Sequence, residues 1–119
     1  MILSGAQIQQ TARDAAGALD DVSTGRPFTP HLEVWKVRGK VFMIVIEDDP
    51  DLQIITVKAD PHHADALRRD RESITVGHYL DKQHWISVGP GKGVTRQLIE
   101  DLVGGSYDLA AGNRQDGGS

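Results

Sequence analysis

The 119-residue chain contains no cysteine. That absence excludes disulfide staples, thiol nucleophiles and every zinc site built on cysteine ligands, so only histidine and carboxylate chemistry is left for a metal. Aromatic residues make up 5% of the chain, and a core must therefore be built mainly from aliphatic side chains. No apolar run approaches the ~18 residues of a membrane helix, and Met1-Ile2-Leu3 lacks the length and basic flank of a signal peptide. A cytoplasmic, soluble protein without a membrane partner is expected. Basic residues are also in deficit: 13 Lys and Arg against 17 Asp and Glu give a net charge of −4. This is the wrong sign for a protein that coats nucleic acid through its overall field, so contact with DNA requires a local basic patch. The length suits one domain.

What is present reads as helix, strands, helix, strand, helix. Ser4 and Gln7 have capping-box spacing, with Leu3 and Ile8 placed as a hydrophobic staple, so a helix starts near residue 5. Ile8, Ala12, Ala15 or Ala16, and Leu19 give it a narrow small-residue stripe suited to lying close against a sheet. Gly25-Arg26-Pro27 breaks the pattern. Val34–Val37 and Lys40–Ile46 flank Arg38-Gly39 as a hairpin with Gly39 at positive φ, in a register placing Trp35 opposite Phe42 and Lys36 opposite Val41. Five consecutive apolar residues, Phe42 to Ile46, require a central strand covered on both faces, or on one face by a partner. An acidic turn, Glu47 to Asp51, leads to a third strand from Leu52 to Lys58. Asp60-Pro61 starts a short helix ending near Asp70, with Ala64 and Leu67 inward and Arg68, Arg69 and Arg71 outward. After a stretch with Ile74 and Val76, His84 to Val88 alternates as a last strand, and Gly89 to Gly93 is a loop. Thr95 caps a final helix carrying Leu98, Ile99, Leu102 and Val103, which Gly104-Gly105 weakens or interrupts ahead of Ser106 to Ala110. The fold class is α+β: an antiparallel sheet with helices packed on one face, forming one domain over residues 1–111. Residues 112–119 read as a disordered polar tail.

Catalytic chemistry finds little support. The Gly89 to Gly93 loop fails the phosphate-loop pattern, because Ile86 replaces its first glycine and Gly93 stands where Ser or Thr is needed. It reads as a strand-to-helix connection, with Lys92 and the Thr95 helix start as the lesser, anion-contacting reading. Adjacent His62 and His63 project about 100° apart on a helix and cannot share an ion as an i, i+4 pair would. His78, His84 and Asp81 bracket a loop that could assemble only a weak site. Gly104-Gly105-Ser106 lacks the strand and second glycine of a nucleophile elbow, and the acidic turn lacks calcium-loop spacing. No catalytic residue, metal or cofactor is therefore assigned. Basic residues are more informative. Lys36, Arg38 and Lys40 cluster at the hairpin tip with no acid between Glu33 and Glu47, whereas Asp65, Asp70 and Glu72 offset Arg68, Arg69 and Arg71.

Five stretches resemble the YjbR/MmcQ family of small bacterial domains: Gly25 to Phe28 (GRPF), Val34 to Phe42 (VWKVRGKVF), Thr56 to Pro61 (TVKADP), Val76 to Val88 (VGHYLDKQHWISV) and Ser106 to Leu109 (SYDL). Their order spans about residues 4–111. The resemblance implies an α+β fold like that of the frataxin-related CyaY proteins, with a double-wing arrangement, and a DNA-binding role without enzymatic activity. It places the family's polar and aromatic positions on Lys40, Lys58, Lys82, His84, Trp85, Ser106 and Tyr107. Two departures stand out: Asp81 replaces the usual asparagine, and Gly89 to Gly93 is a shortened connection. The expected nucleic-acid contacts are Lys36, Arg38 and Lys40 on the hairpin, with Lys58, Lys82 and His84, and the expected partner is double-stranded DNA. The alternative is a module holding a small anionic ligand or a protein in a groove around Lys82, His84, Trp85, Ser106 and Tyr107. Iron binding by analogy to frataxin ranks last, since the first helix offers Asp14 and then only Asp20 and Asp21.

Overall fold

The computed structural model describes residues 2–47, 54–77 and 83–112. Helix α1 spans Gly5–Gly17, followed by strands β1 (Val22–Gly25), β2 (Leu32–Val37), β3 (Lys40–Ile46) and β4 (Ile55–Lys58). Helix α2 (Pro61–Asp70), strands β5 (Ile74–Val76) and β6 (Trp85–Val88) and helix α3 (Arg96–Ala111) complete the chain. The strands form one six-stranded sheet, ordered β1-β2-β3-β4-β6-β5, with every neighbouring pair antiparallel. The α+β class and the antiparallel sheet match the sequence reading.

Local signals set the helix starts. Ser4 Oγ accepts from the Gln7 amide at 3.1 Å while Gln7 Oε1 accepts from the Ser4 amide at 2.8 Å, so two amides that α1 leaves unpaired are satisfied reciprocally. Asp60 caps α2 ahead of Pro61, and Thr95 caps α3 through the Leu98 amide at 3.1 Å. Ile8, Ala12 and Ala16 of α1, Ala64 and Leu67 of α2, and Ile99, Leu102, Val103, Tyr107 and Ala110 of α3 share a single core with Val45, Val57, Ile86 and Val88 of the sheet. Helices thus lie on one face. The small stripe of α1 packs against α3 as well as against the sheet. Leu32, Val34, Ile44, Ile46 and Ile54 form a second buried cluster on the opposite face, the double coverage that the apolar run of β3 demands.

Three features differ from the sequence reading. Strand β1 is a short edge strand, pairing Val22 with Val37 and Gly25 with Val34; its polar, exposed Ser23 and Thr24 carry no apolar alternation to announce it. Trp35 faces Met43 rather than Phe42, while Lys36 still faces Val41. Phe42 is the extra residue of a β-bulge, which lets both Phe42 and Met43 enter the helix-side core. Helix α3 runs unbroken through Gly104-Gly105. Each glycine costs the helix about 1 kcal/mol, but Leu102, Val103, Ser106 and Tyr107 are buried on either side and hold it.

One end of the sheet is clamped by polar side chains. The buried Gln9 amide donates to the carbonyls of Ile46 and Ile54 at 2.9 and 3.3 Å. Beside it, Arg13 pairs with Glu33 and Glu47, both at 2.8 Å, and Arg26 meets the same two acids at 3.3 and 2.8 Å. Trp35 Nε1 also donates to Glu33 at 2.8 Å. Desolvation alone would raise the Glu33 carboxyl pKa, but the hydrogen bonds from Arg13 and Trp35 and the two guanidinium charges outweigh it, and the net shift is downward. A lowered native pKa stabilises the fold at pH values above the ordinary 4.5, and that contribution is lost as pH falls through the native value. Urea unfolding from pH 7 to pH 3 should accordingly show a steeper acid-side loss for the wild type than for Glu33→Gln. Parallel curves would remove Glu33 from the acid transition.

Candidate nucleic-acid interface

The β2–β3 hairpin turns on Arg38 and Gly39, with φ of 50° and 84°. Both values are left-handed, as a two-residue turn matched to strand twist requires. Arginine is an unusual occupant of that conformation. Asp21, itself at φ 61°, holds it: the Arg38 amide donates to the Asp21 carbonyl at 3.3 Å, and its Nε meets the Asp21 carboxylate at 3.4 Å. The apex cation is therefore offset by an acid.

The other two hairpin cations lie on opposite faces of the ribbon. Lys40 pairs with Val37, whose side chain enters the helix-side core, so the exposed Lys40 sits on the helix side of the tip. Lys36 pairs with Ser23 and Val41 on the side away from the helices. Neither lysine has an acidic partner among the described residues. Lys36 lines a cleft of about 360 Å³ with Arg26, Ser23 and Thr24 over Val34, and its lining contains no carboxylate. Arg26, Ser23 and Thr24 escaped sequence reasoning because β1 did. A register for β1 would have brought them to Lys36.

Of the expected groove residues, Trp85 does not share a face with Ser106 and Tyr107. Ile55, Val57, Ile86 and Val88 face the helices, so the intervening Thr56, Lys58, Trp85 and Ser87 face the other way. Thr56 Oγ1 and Ser87 Oγ lie 2.9 Å apart there, and Lys58 Nζ sits 5.9 Å from the centre of the Trp85 ring. Trp85 is buried, pressed against Gly77, where an added Cβ would fall 2.5 Å from its own Cβ. Ser106 and Tyr107 lie on the helix side. Tyr107 stands edge-on to Phe42, ring centres 5.5 Å apart, and donates to the Asp20 carbonyl at 2.7 Å. His84 is half-buried, and its carbonyl accepts from the Ala59 amide at 2.8 Å. Lys82, together with His78 and Asp81, lies outside the described residues.

Comparison with known proteins gives a family. The YjbR family's sequence profile matches residues 17–109. The chain belongs to the YjbR family. It is 34% identical over 102 residues to the uncharacterized protein YbdF of Escherichia coli O157:H7, covering 86% of this chain and 83% of that one. The fold is similar to that of Deinococcus radiodurans DR2400, a DUF419-domain protein, with a TM-score of 0.73, 28% identity, and coverage of 82% of this chain and 73% of the other. A Pseudomonas syringae protein shares the fold at a TM-score of 0.69 and 22% identity, over 86% and 97% of the two chains.

Within this YjbR domain the Ser106 hydroxyl is a structural bridge. It accepts from the Lys58 amide at 2.8 Å and donates to the Phe42 carbonyl, and no part of Ser106 is exposed. Removing the hydroxyl leaves the half-buried Lys58 amide and the buried Phe42 carbonyl unpaired, at about 1–3 kcal/mol each. Ser106→Ala should therefore lower the unfolding free energy in urea by at least about 2 kcal/mol. A loss below about 0.5 kcal/mol, within the range of an ordinary surface substitution, would refute the bridging role.

Proposed function

We propose that this YjbR domain is a non-enzymatic DNA-binding domain whose β2–β3 ribbon carries the contact. The observation supporting it most directly is the pair Lys36 and Lys40, without acidic partners among the described residues and on opposite faces of the tip that β2 and β3 form with the flanking β1. Phosphate contacts fix a protein's position on a duplex without reading its sequence, and cations at one end of a sheet can supply them. A cation on each face lets the tip meet a phosphate from either side. The acid-free cleft around Lys36, with the hydroxyl of Ser23 on the same face, extends the surface that can donate to phosphate oxygens. Arg38 is a weaker contributor because Asp21 offsets it. Lys58 lies over Trp85, and His84 lies beside it in sequence, making them a secondary region at most. The net charge of −4 favours a contact confined to the ribbon over one spread across the surface. The non-enzymatic part of the reading rests on Ser106 and Tyr107, whose hydroxyls are committed to backbone groups rather than placed beside a general base.

Fluorescence anisotropy with a labelled mixed-sequence duplex between about 50 and 200 mM salt tests the proposal. Affinity should fall linearly on logarithmic axes, and Lys36→Ala with Lys40→Ala should lower the slope by about 2, since each phosphate contact contributes about 0.9. Arg38→Ala should change it less. An unchanged slope in the double variant would take the ribbon out of the interface, and no binding at the lowest salt would overturn the DNA reading altogether.

A further inference from the structure

A cleft of about 760 Å³ lies between the α2–β5 turn and the loop from β6 to α3. By the strand register it is at the opposite edge and the opposite end of the sheet from the Arg38-Gly39 turn. Its volume falls within the range of small-molecule sites, about 300–1,000 Å³. Its walls are held to one another. The Gly89 amide donates to the Ser73 carbonyl at 3.0 Å, Arg71 Nε donates to the Gly93 carbonyl at 3.1 Å, and the Val94 amide closes a turn onto the Gly91 carbonyl at 3.2 Å. A Cβ on Gly91 would fall 1.4 Å from Ser73 Oγ, so that hydroxyl rests directly on the loop and only glycine fits opposite it. Gly93 is left-handed at φ 84°, which glycine adopts without strain.

We infer that this cleft binds a phosphomonoester through Arg71, Lys92 and the Ser73 hydroxyl. Arg71 uses Nε on the loop, which orients its plane, and neither terminal nitrogen has a hydrogen bond or ion pair among the described residues. Lys92 is exposed without an acidic partner among those residues, and the Ser73 hydroxyl has no hydrogen bond there. A fork, a point charge and a hydroxyl donor around one cleft match the three non-bridging oxygens of a phosphomonoester. The same lining contains Asp70 and Glu72, so it carries two charges of each sign. That balance gives little attraction to a polyanion such as a DNA backbone, while the carboxylates can accept from hydroxyls beside the phosphate. Sugar phosphates and mononucleotides combine both groups. The site is separate from the ribbon and does not depend on the DNA reading.

The test is a ¹⁵N-HSQC titration of the full chain with inorganic phosphate, ribose 5-phosphate, ribose, and a short DNA duplex. Ribose 5-phosphate should shift residues 71–73 and 91–95 at lower concentration than inorganic phosphate does, and ribose alone should leave them unmoved. Arg71→Gln with Lys92→Gln should weaken that binding at least tenfold, while Arg71→Lys, which keeps the charge but loses the fork, should weaken it less; unchanged dispersion elsewhere in the spectrum shows that the variants fold. Three results overturn the inference: no shift at these residues with either phosphate, shifts spread equally over Arg69 and Arg96, or shifts there with the duplex but not with ribose 5-phosphate. The last would reassign the cleft as a DNA-phosphate contact.

Discussion

A single hydroxyl lets the sheet divide. The β3–β4 ladder pairs Met43 with Val57 and Ile44 with Thr56, so the next facing pair in register is Phe42 and Lys58. Their backbones do not bond to each other as a ladder would. Ser106 Oγ stands between them, accepting from the Lys58 amide and donating to the Phe42 carbonyl. Both groups are satisfied in the core, where an orphan would cost about 1–3 kcal/mol. From this point β3 continues with β2 toward the ribbon tip, while β4 passes into α2. The bulge at Phe42 and the Ser106 bridge are two parts of one departure from regular pairing, since the bulge sends the Phe42 ring toward Tyr107 on the same helix.

The geometry of the ribbon follows from that division. Beyond the bulge, Lys36–Val41 and Val37–Lys40 pair in a register shifted by one residue from that of Trp35 and Met43. Without the shift, alternation beyond Trp35 would place each β3 side chain on the other face, and Val41 would face the core in place of Phe42. The shift leaves Lys36 on one face and Lys40 on the other. Contacts between Asp21 and Arg38 fix the tip to the segment entering β1, and Tyr107 ties that segment to α3 through Asp20. Helix α3 thus controls both ends of the ribbon's approach. At the far end of β2 and β3, the two arginines and two glutamates perform the corresponding task with charge.

How much of this was legible depended on the range of each signal. Capping Ser4, Asp60 and Thr95 act within four residues, and all three helix starts could be read from the sequence alone. Arg38-Gly39 could be read for the same reason, as could the need to cover both faces of Phe42 to Ile46. The bulge could not, because a plain alternation pairs Trp35 with Phe42 equally well and only the presence of Tyr107 and Ser106, 64 or more positions away, favours the alternative. Gly104-Gly105 misled for a related reason: local propensity argues for a break, and tertiary burial on both sides of the pair overrides it. The groove expected around Trp85, Ser106 and Tyr107 failed on parity. Trp85 and Ile86 are neighbours in the chain and lie on opposite faces of the sheet, and no motif states which of them faces the helices.

The charge distribution explains how a chain of net charge −4 can present cations to an anion. Arg13 and Arg26 are committed to Glu33 and Glu47, Arg68 to Asp65, and Arg38 to Asp21. These pairs hold structure together and contribute little field at a distance, because opposite charges a few ångströms apart cancel well within a Debye length of about 10 Å. What remains for a ligand is a short set of lysines and arginines whose surroundings differ. Lys36 lines an acid-free cleft, which suits a ligand of repeated negative charge, whereas Arg71 and Lys92 share theirs with Asp70 and Glu72, which suits a ligand carrying one anionic group among hydroxyls. Residue type does not separate these two surfaces. The acids placed beside each cation do, and those positions are set by strand register at one surface and by the glycine loop at the other.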